Sequence, residues 1–113
     1  MVTIEEVRQL AQTLPRSYEA LVRDHVKFRV GRIVYLAFSR DETMMGFAFP
    51  KEERNALIVS EPHKFLMPKL SDQRYNWVVV RLEEVEEDEM HEIVTSAWRM
   101  VVPKRVAAER LGS

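Results

Sequence analysis

The sequence predicts an α+β fold in a single domain, and three observations carry that expectation. Apolar periodicities run in the order helix, several strands, short helix, strand, helix, with short turns and no alternating βαβ rhythm. The 113 residues, 46% of them hydrophobic, suffice for one core and are too few for two. No internal repeat or low-complexity tract occurs, and three glycines are too few for a flexible linker.

Thr3-Ile4-Glu5-Glu6 has the form of a capping box, in which the Thr3 hydroxyl accepts from the Glu6 N–H and the Glu6 carboxylate accepts from the Thr3 N–H. Val2 and Val7 are spaced for a hydrophobic staple; Val7, Leu10, Ala11 and Leu14 form an apolar stripe, and Pro15 ends it. The first helix is expected over residues 4–14. Val22, Val26, Phe28 and Val30 share one parity, which suits strand structure with one buried face. Gly31-Arg32 reads as a tight turn, Ile33 to Phe38 as the next strand, Ser39 to Glu42 as a polar connection and Thr43 to Phe49 as a further strand. Together these make an antiparallel meander.

Pro50 is placed to open a short helix over Lys51 to Val59, which Glu61-Pro62 stops. His63 to Arg74 reads as a loop with the apolar anchor Phe65-Leu66-Met67. Tyr75 to Leu82 is expected as a strand buried on both faces, with Trp77, Tyr75 and Trp98 in the core. Met90, Ile93, Val94, Ala97, Trp98 and Val101 give a last helix over residues 87–102, terminated by Pro103. The domain then spans residues 1–105, and 106–113 form a short, frayed or weakly helical tail.

Charge is more informative split than summed. The formal net charge is -1, so no whole-molecule positive field announces nucleic acid or a membrane. Residues 83–92, however, hold seven acids and no base, and the rest of the chain is correspondingly basic. The acidic run suits the first turn of a helix and lacks the spacing of a hard-cation loop. Its basic counterpart is the alternation Arg23, His25, Lys27, Arg29, which places four cationic or titratable groups on one sheet face about 7 Å apart, close to the phosphate spacing of a nucleic-acid strand. Arg32 extends that patch, and Asp24, Asp41 and Glu42 lie near enough in sequence to neutralise part of it. A polar outer face is also what any half-exposed antiparallel strand needs. Lys104 and Arg105, with Arg110, form a second basic cluster, read as cations near the negative end of the last helix.

Catalytic patterns are missing. No serine sits in a nucleophile elbow, the glycines are isolated rather than grouped as a phosphate loop, and His91-Glu92 is followed by Thr95 where a zinc motif needs a second histidine. No enzyme activity and no cofactor are therefore expected; a pocket gathering His25, Tyr35 or His63 beside carboxylates would change that. The absence of cysteine suits a reducing compartment, and the acidic start MVTIEEVRQL is unlike a signal peptide, so the expected location is the cytoplasm, with no membrane partner.

The segments TIEEVRQLAQTLP, FRVGRIVYLAF, FPKEERNALIVSEPHKF, NWVVVRLEEV and DEMHEIVTSAWRMVVPKR, in this order and spacing over residues 3–105, resemble the MmcQ/YjbR-like family of small bacterial proteins with a frataxin-like (CyaY-like) fold. The resemblance implies a curved antiparallel sheet with helices packed on one face, and DNA binding through strand-and-loop wings. Carried over residue by residue, the wing maps onto Phe28, Arg29, Val30, Gly31 and Arg32, and the basic ending onto Lys104 and Arg105. Gly31 then supplies the positive φ of a tight turn. The acidic ridge that serves iron in frataxin-like proteins has no counterpart here, since the first helix offers only Glu5 and Glu6 beside Arg8.

The function expected from sequence is a noncatalytic DNA- or nucleic-acid-binding module, monomeric or weakly dimeric, with Arg23, His25, Lys27, Arg29, Arg32, Lys104 and Arg105 contacting phosphates. The alternative is a protein-interaction or assembly domain that docks through the acidic 83–92 region or through Phe65, Leu66 and Met67, which requires those three side chains to be exposed.

Overall fold

The computed structural model describes residues 1–112, with side chains to residue 110. The elements are α1 (Ile4–Ala11), β1 (Ser17–Val22), β2 (His25–Val30), β3 (Ile33–Phe38), β4 (Met44–Ala48), α2 (Lys51–Ser60), β5 (Phe65–Leu66), β6 (Trp77–Arg81), α3 (Glu87–Arg99) and α4 (Lys104–Gly112). The strands form one six-stranded antiparallel sheet in the order β1-β2-β3-β4-β6-β5. No helix among the described residues is long and apolar enough to cross a membrane.

The capping box at Thr3 is formed in both directions, and Val2 and Val7 are buried beneath it. α1 stops at Ala11 rather than Leu14, because Thr13 and Leu14 donate to Leu10 and Ala11 in tighter three-residue turns. Arg8 then reaches across to β1 and grips Glu19 through Nε and Nη2, at 2.8 and 3.2 Å. The basic alternation from Arg23 to Arg29 is not one strand. Arg23 and Asp24 both take positive φ, 51° and 68°, and fold β1 back onto β2 in a two-residue hairpin turn. Neither residue is glycine or asparagine, so the turn lacks the usual hairpin signal, and only Asp24, on the apolar parity, interrupts the alternation there. The Gly31-Arg32 turn is formed as expected, with Gly31 at φ +60°.

Strand parity sorts the sheet into two faces. Phe28, Leu36, Phe38, Met45, Phe47, Val78 and Val80 face the helices and are buried with Val7, Met90, Val94, Ala97 and Trp98. Trp98 donates its indole N–H to the Pro15 carbonyl at 2.8 Å, tying α3 to the α1–β1 connection. A bulge between Phe28 and Arg29 leaves Tyr35 unpaired in the ladder, so that Tyr35 and Leu36 are both buried. Tyr35 shares a 2.5 Å hydrogen bond with the Ser17 hydroxyl.

Three expectations about the second half are corrected. β6 is not buried on both faces: Val78 and Val80 are, whereas Trp77, Val79 and Arg81 alternate onto the outer side. Trp77 is half-buried and packs against the core from the outer side rather than lying within it beside Trp98, and Tyr75 is 52% exposed. The segment after Pro103 is a helix, and Val106 and Ala107 are buried, because the proline supplies the cap carbonyl that accepts from both of their N–H groups.

The outer face is shaped by one glycine. A Cβ at Gly46 would lie 2.4 Å from Trp77 Nε1 and 2.7 Å from its ring carbons, so the indole rests where any other residue on β4 would place a side chain.

Three outcomes follow. Asp24→Gly relieves the left-handed turn and raises unfolding free energy by about 1 kcal/mol, read as a higher urea midpoint at constant slope. Gly46→Ala drives a methyl group into the indole and lowers stability by about 1–3 kcal/mol in the same assay. Burial raises the Tyr35 phenol to about 12, against the smaller opposing effect of Ser17. The folded state holds this proton more tightly than the unfolded one. Its stabilising contribution is therefore complete below about pH 10 and is lost as pH rises towards about 12, a slope that Tyr35→Phe removes in urea titrations across that range.

Candidate nucleic-acid interface

The outer face of the sheet carries the cations that the alternation located, with one displacement. His25, Lys27 and Arg29 project from β2 to that face, opposite in parity to buried Phe28 and Val30. Arg23 does not accompany them; it sits in the hairpin turn at the His25 end of β2. Arg32 lies in the turn at the other end. Basic side chains thus run the length of β2 from one hairpin tip to the other.

Their environments differ. His25 places Nδ1 3.0 Å from the Phe38 carbonyl, so Nδ1 donates and Nε2 has no partner among the described residues. Arg29 is half-buried between Tyr18 and Val34 on the neighbouring strands, and its Nε–H has no acceptor among the described residues. Tyr18, the exposed neighbour, donates instead to the Gly31 carbonyl at 2.5 Å and braces the turn that carries Arg32. Lys27 and Arg32 line a groove of about 670 Å³.

Ion pairs join the amino terminus, Arg8 and Lys64 to carboxylates, and none among the described residues involves Arg23, His25, Lys27, Arg29 or Arg32. Asp24, Asp41 and Glu42 do not neutralise the basic face. Asp41 is occupied by the Ser39 and Thr43 hydroxyls and the Thr43 N–H, which hold its carboxyl below the usual range. Lys104 and Arg105 open α4, so their charges stand at the positive end of a helix dipole rather than at a negative one, a correction to the expectation.

The opposite wall of the groove holds two aromatic side chains, Tyr75 and Trp77, that the sequence predicts in the core. Tyr75, Trp77, Asp72 and Asn76 face Lys27 and Arg32 across it. Their positions are set by backbone anchoring from α2. Arg54, 8% exposed, donates to the carbonyls of Gln73 at 2.9 Å, Tyr75 at 3.2 Å and Trp77 at 2.9 Å. Asn76 caps the start of α2 by accepting from the Lys51 N–H at 3.0 Å. Arg74 stacks over the Tyr75 ring, 4.8 Å from its centroid, and donates to its hydroxyl. Two sequence signals pointed here: a lone glycine within the apolar strand β4, and the shared parity of Trp77, Val79 and Arg81.

The alternative docking surface is dismantled in part. Phe65 is buried against Phe47 in an edge-to-face contact, Leu66 is half-buried in β5, and Met67 alone is exposed. Within the acidic run, Glu89 pairs with buried Lys64, and Glu86 meets the amino terminus at 3.6 Å. None of the hollows found gathers His25, Tyr35 or His63 beside carboxylates. No group of three His, Asp or Glu side chains among the described residues is placed to hold a metal ion.

Comparison with known proteins completes the description. None of the curated proteins matches the chain. Among solved structures, the crystal structure of Deinococcus radiodurans protein DR2400, with a DUF419 domain, superposes with a TM-score of 0.79 at 20% identity, covering 99% of this chain and 89% of that one. That likeness concerns the fold. The YjbR family model matches residues 12–100, which take in the whole sheet with α2 and α3, and the chain accordingly belongs to the YjbR family.

Proposed function

We propose that this chain is a noncatalytic nucleic-acid-binding module that holds phosphates on the outer face of its sheet, along β2 and its two turns. The observation that carries the reading is the set of cations, Lys27, Arg29 and Arg32, that share this face without an ion-pair partner among the described residues. Unpaired cations in a row attract a linear polyanion by releasing its condensed counterions, and that attraction needs no net positive charge on the whole molecule. Arg23, His25, Lys104 and Arg105 belong to the same reading as outlying contacts. The absence of cysteine suits a reducing compartment, and the cytoplasm is the location we propose with it.

Fluorescence anisotropy of labelled single- and double-stranded DNA and RNA, from about 25 to 200 mM salt, tests this. Three phosphate contacts give a log–log salt slope of about -2 to -3. Lys27→Gln with Arg32→Gln lowers affinity about 10- to 100-fold and flattens the slope by about 2, similarly for every sequence. Unchanged affinity and slope in that double variant would remove this face as the site.

A further inference from the structure

The groove holds opposite charges that do not meet. Lys27 and Arg32 line one wall and Asp72 the other, yet Asp72 forms no ion pair and its carboxylate accepts no hydrogen bond among the described residues. The lining also includes Trp77, whose indole N–H has no acceptor among the described residues, and half-exposed Tyr75. A phosphate alone would satisfy the cations and be repelled by the carboxylate. A ligand fitting all of these groups needs an anionic end, an aromatic ring and a hydrogen-bond donor on that ring.

We infer that the groove takes an unpaired base of a single-stranded nucleic acid, and that Asp72 selects bases carrying an exocyclic amine. This rests on the phosphate-binding reading above and deepens it. The base lies against Trp77 and the face of Tyr75 that Arg74 leaves open, its phosphate meets Lys27 and Arg32, and its amine donates to Asp72. Stacking on aromatic side chains is open to any unpaired base, whereas a base locked in a duplex cannot present its ring face or leave its partner to meet Asp72. Cytosine offers its N4 amine, where thymine offers a carbonyl oxygen that a carboxylate repels.

Dimensions agree. A hollow of about 670 Å³ is of the size that holds a small organic ligand, for which roughly 300–1,000 Å³ is usual. A second hollow of about 260 Å³ adjoins it along Ala37, Trp77 and Asp72. The site is therefore longer than one nucleotide, which favours a strand over a free mononucleotide. Lys69, on the rim of the second hollow, adds a further cation there.

The test uses the intact chain and four labelled probes: oligo(dC), oligo(dT), a mixed-sequence single strand and its duplex. Circular dichroism confirms that each variant is folded. Single strands are expected to bind about tenfold tighter than the duplex, and oligo(dC) several-fold tighter than oligo(dT). Tyr75→Ala, at an exposed position, weakens single-strand binding about 5- to 10-fold and leaves duplex binding unchanged. Asp72→Asn, close in shape, brings the oligo(dC) to oligo(dT) ratio to about one. Salt-dependent binding that Lys27→Gln/Arg32→Gln abolishes, but that ignores Tyr75→Ala and Asp72→Asn, overturns this inference and leaves the phosphate face standing. Absence of salt-dependent binding by every probe overturns both.

Discussion

The helices α1, α2 and α3 cover one face of the sheet, and the two-residue period of a strand then divides each sequence between core and groove. On β2 the division separates Phe28 and Val30 from His25, Lys27 and Arg29; on β6 it separates Val78 and Val80 from Trp77, Val79 and Arg81. Register is consequently under strong control. A slip of one residue would carry cations into a core built from Phe28, Leu36, Phe38, Met45 and Phe47, at a cost of several kcal/mol for each charge desolvated. Burial of each large apolar side chain contributes about 1.5–3 kcal/mol towards holding the alternative in place. The chemistry of the outer face is thus secured by apolar burial on the inner one.

Backbone contacts do the finer positioning. Arg54 is a buried guanidinium with no acid beside it, and its charge is met by three carbonyl dipoles from residues 73–77. Hydrogen bonds to a charged group contribute about 1.5–3 kcal/mol each, enough to offset the desolvation of one cation and to fix the short segment that leads into β6. That segment carries Tyr75 and Trp77. Gly46 completes the arrangement from the other side, since the missing side chain lets the indole settle onto β4. The aromatic wall is therefore held by a helix, a loop and a strand that are distant in sequence.

Electrostatics are divided in the same way. Two ion pairs join elements: Arg8 links α1 to β1 through Glu19, and Lys64 links the entry of β5 to α3 through Glu89. The acidic run before and within α3 is partly spent on this work, and the remainder complements the amino-terminal dipole of that helix. The cations of the outer face take no part in such links. They remain available to a partner that carries its own negative charge.

The sequence by itself determined the α+β class, the capped first helix, the Gly31-Arg32 turn, the basic parity of β2 and the family, because each depends on local spacing or on order along the chain. It also led to a continuous strand through Arg23, since a hairpin turn built from Arg and Asp carries no glycine or asparagine signal and declares itself in the positive φ of both residues. Tertiary structure decided the rest. Whether Trp77 and Tyr75 belong to the core depends on which face of β6 the helices cover. Whether Phe65 could serve a partner depends on its pairing opposite Val80, and the sign of the dipole beside Lys104 and Arg105 depends on a helix after Pro103. Burial is a property of what lies opposite a residue, and the residues opposite are supplied by segments that no local pattern connects.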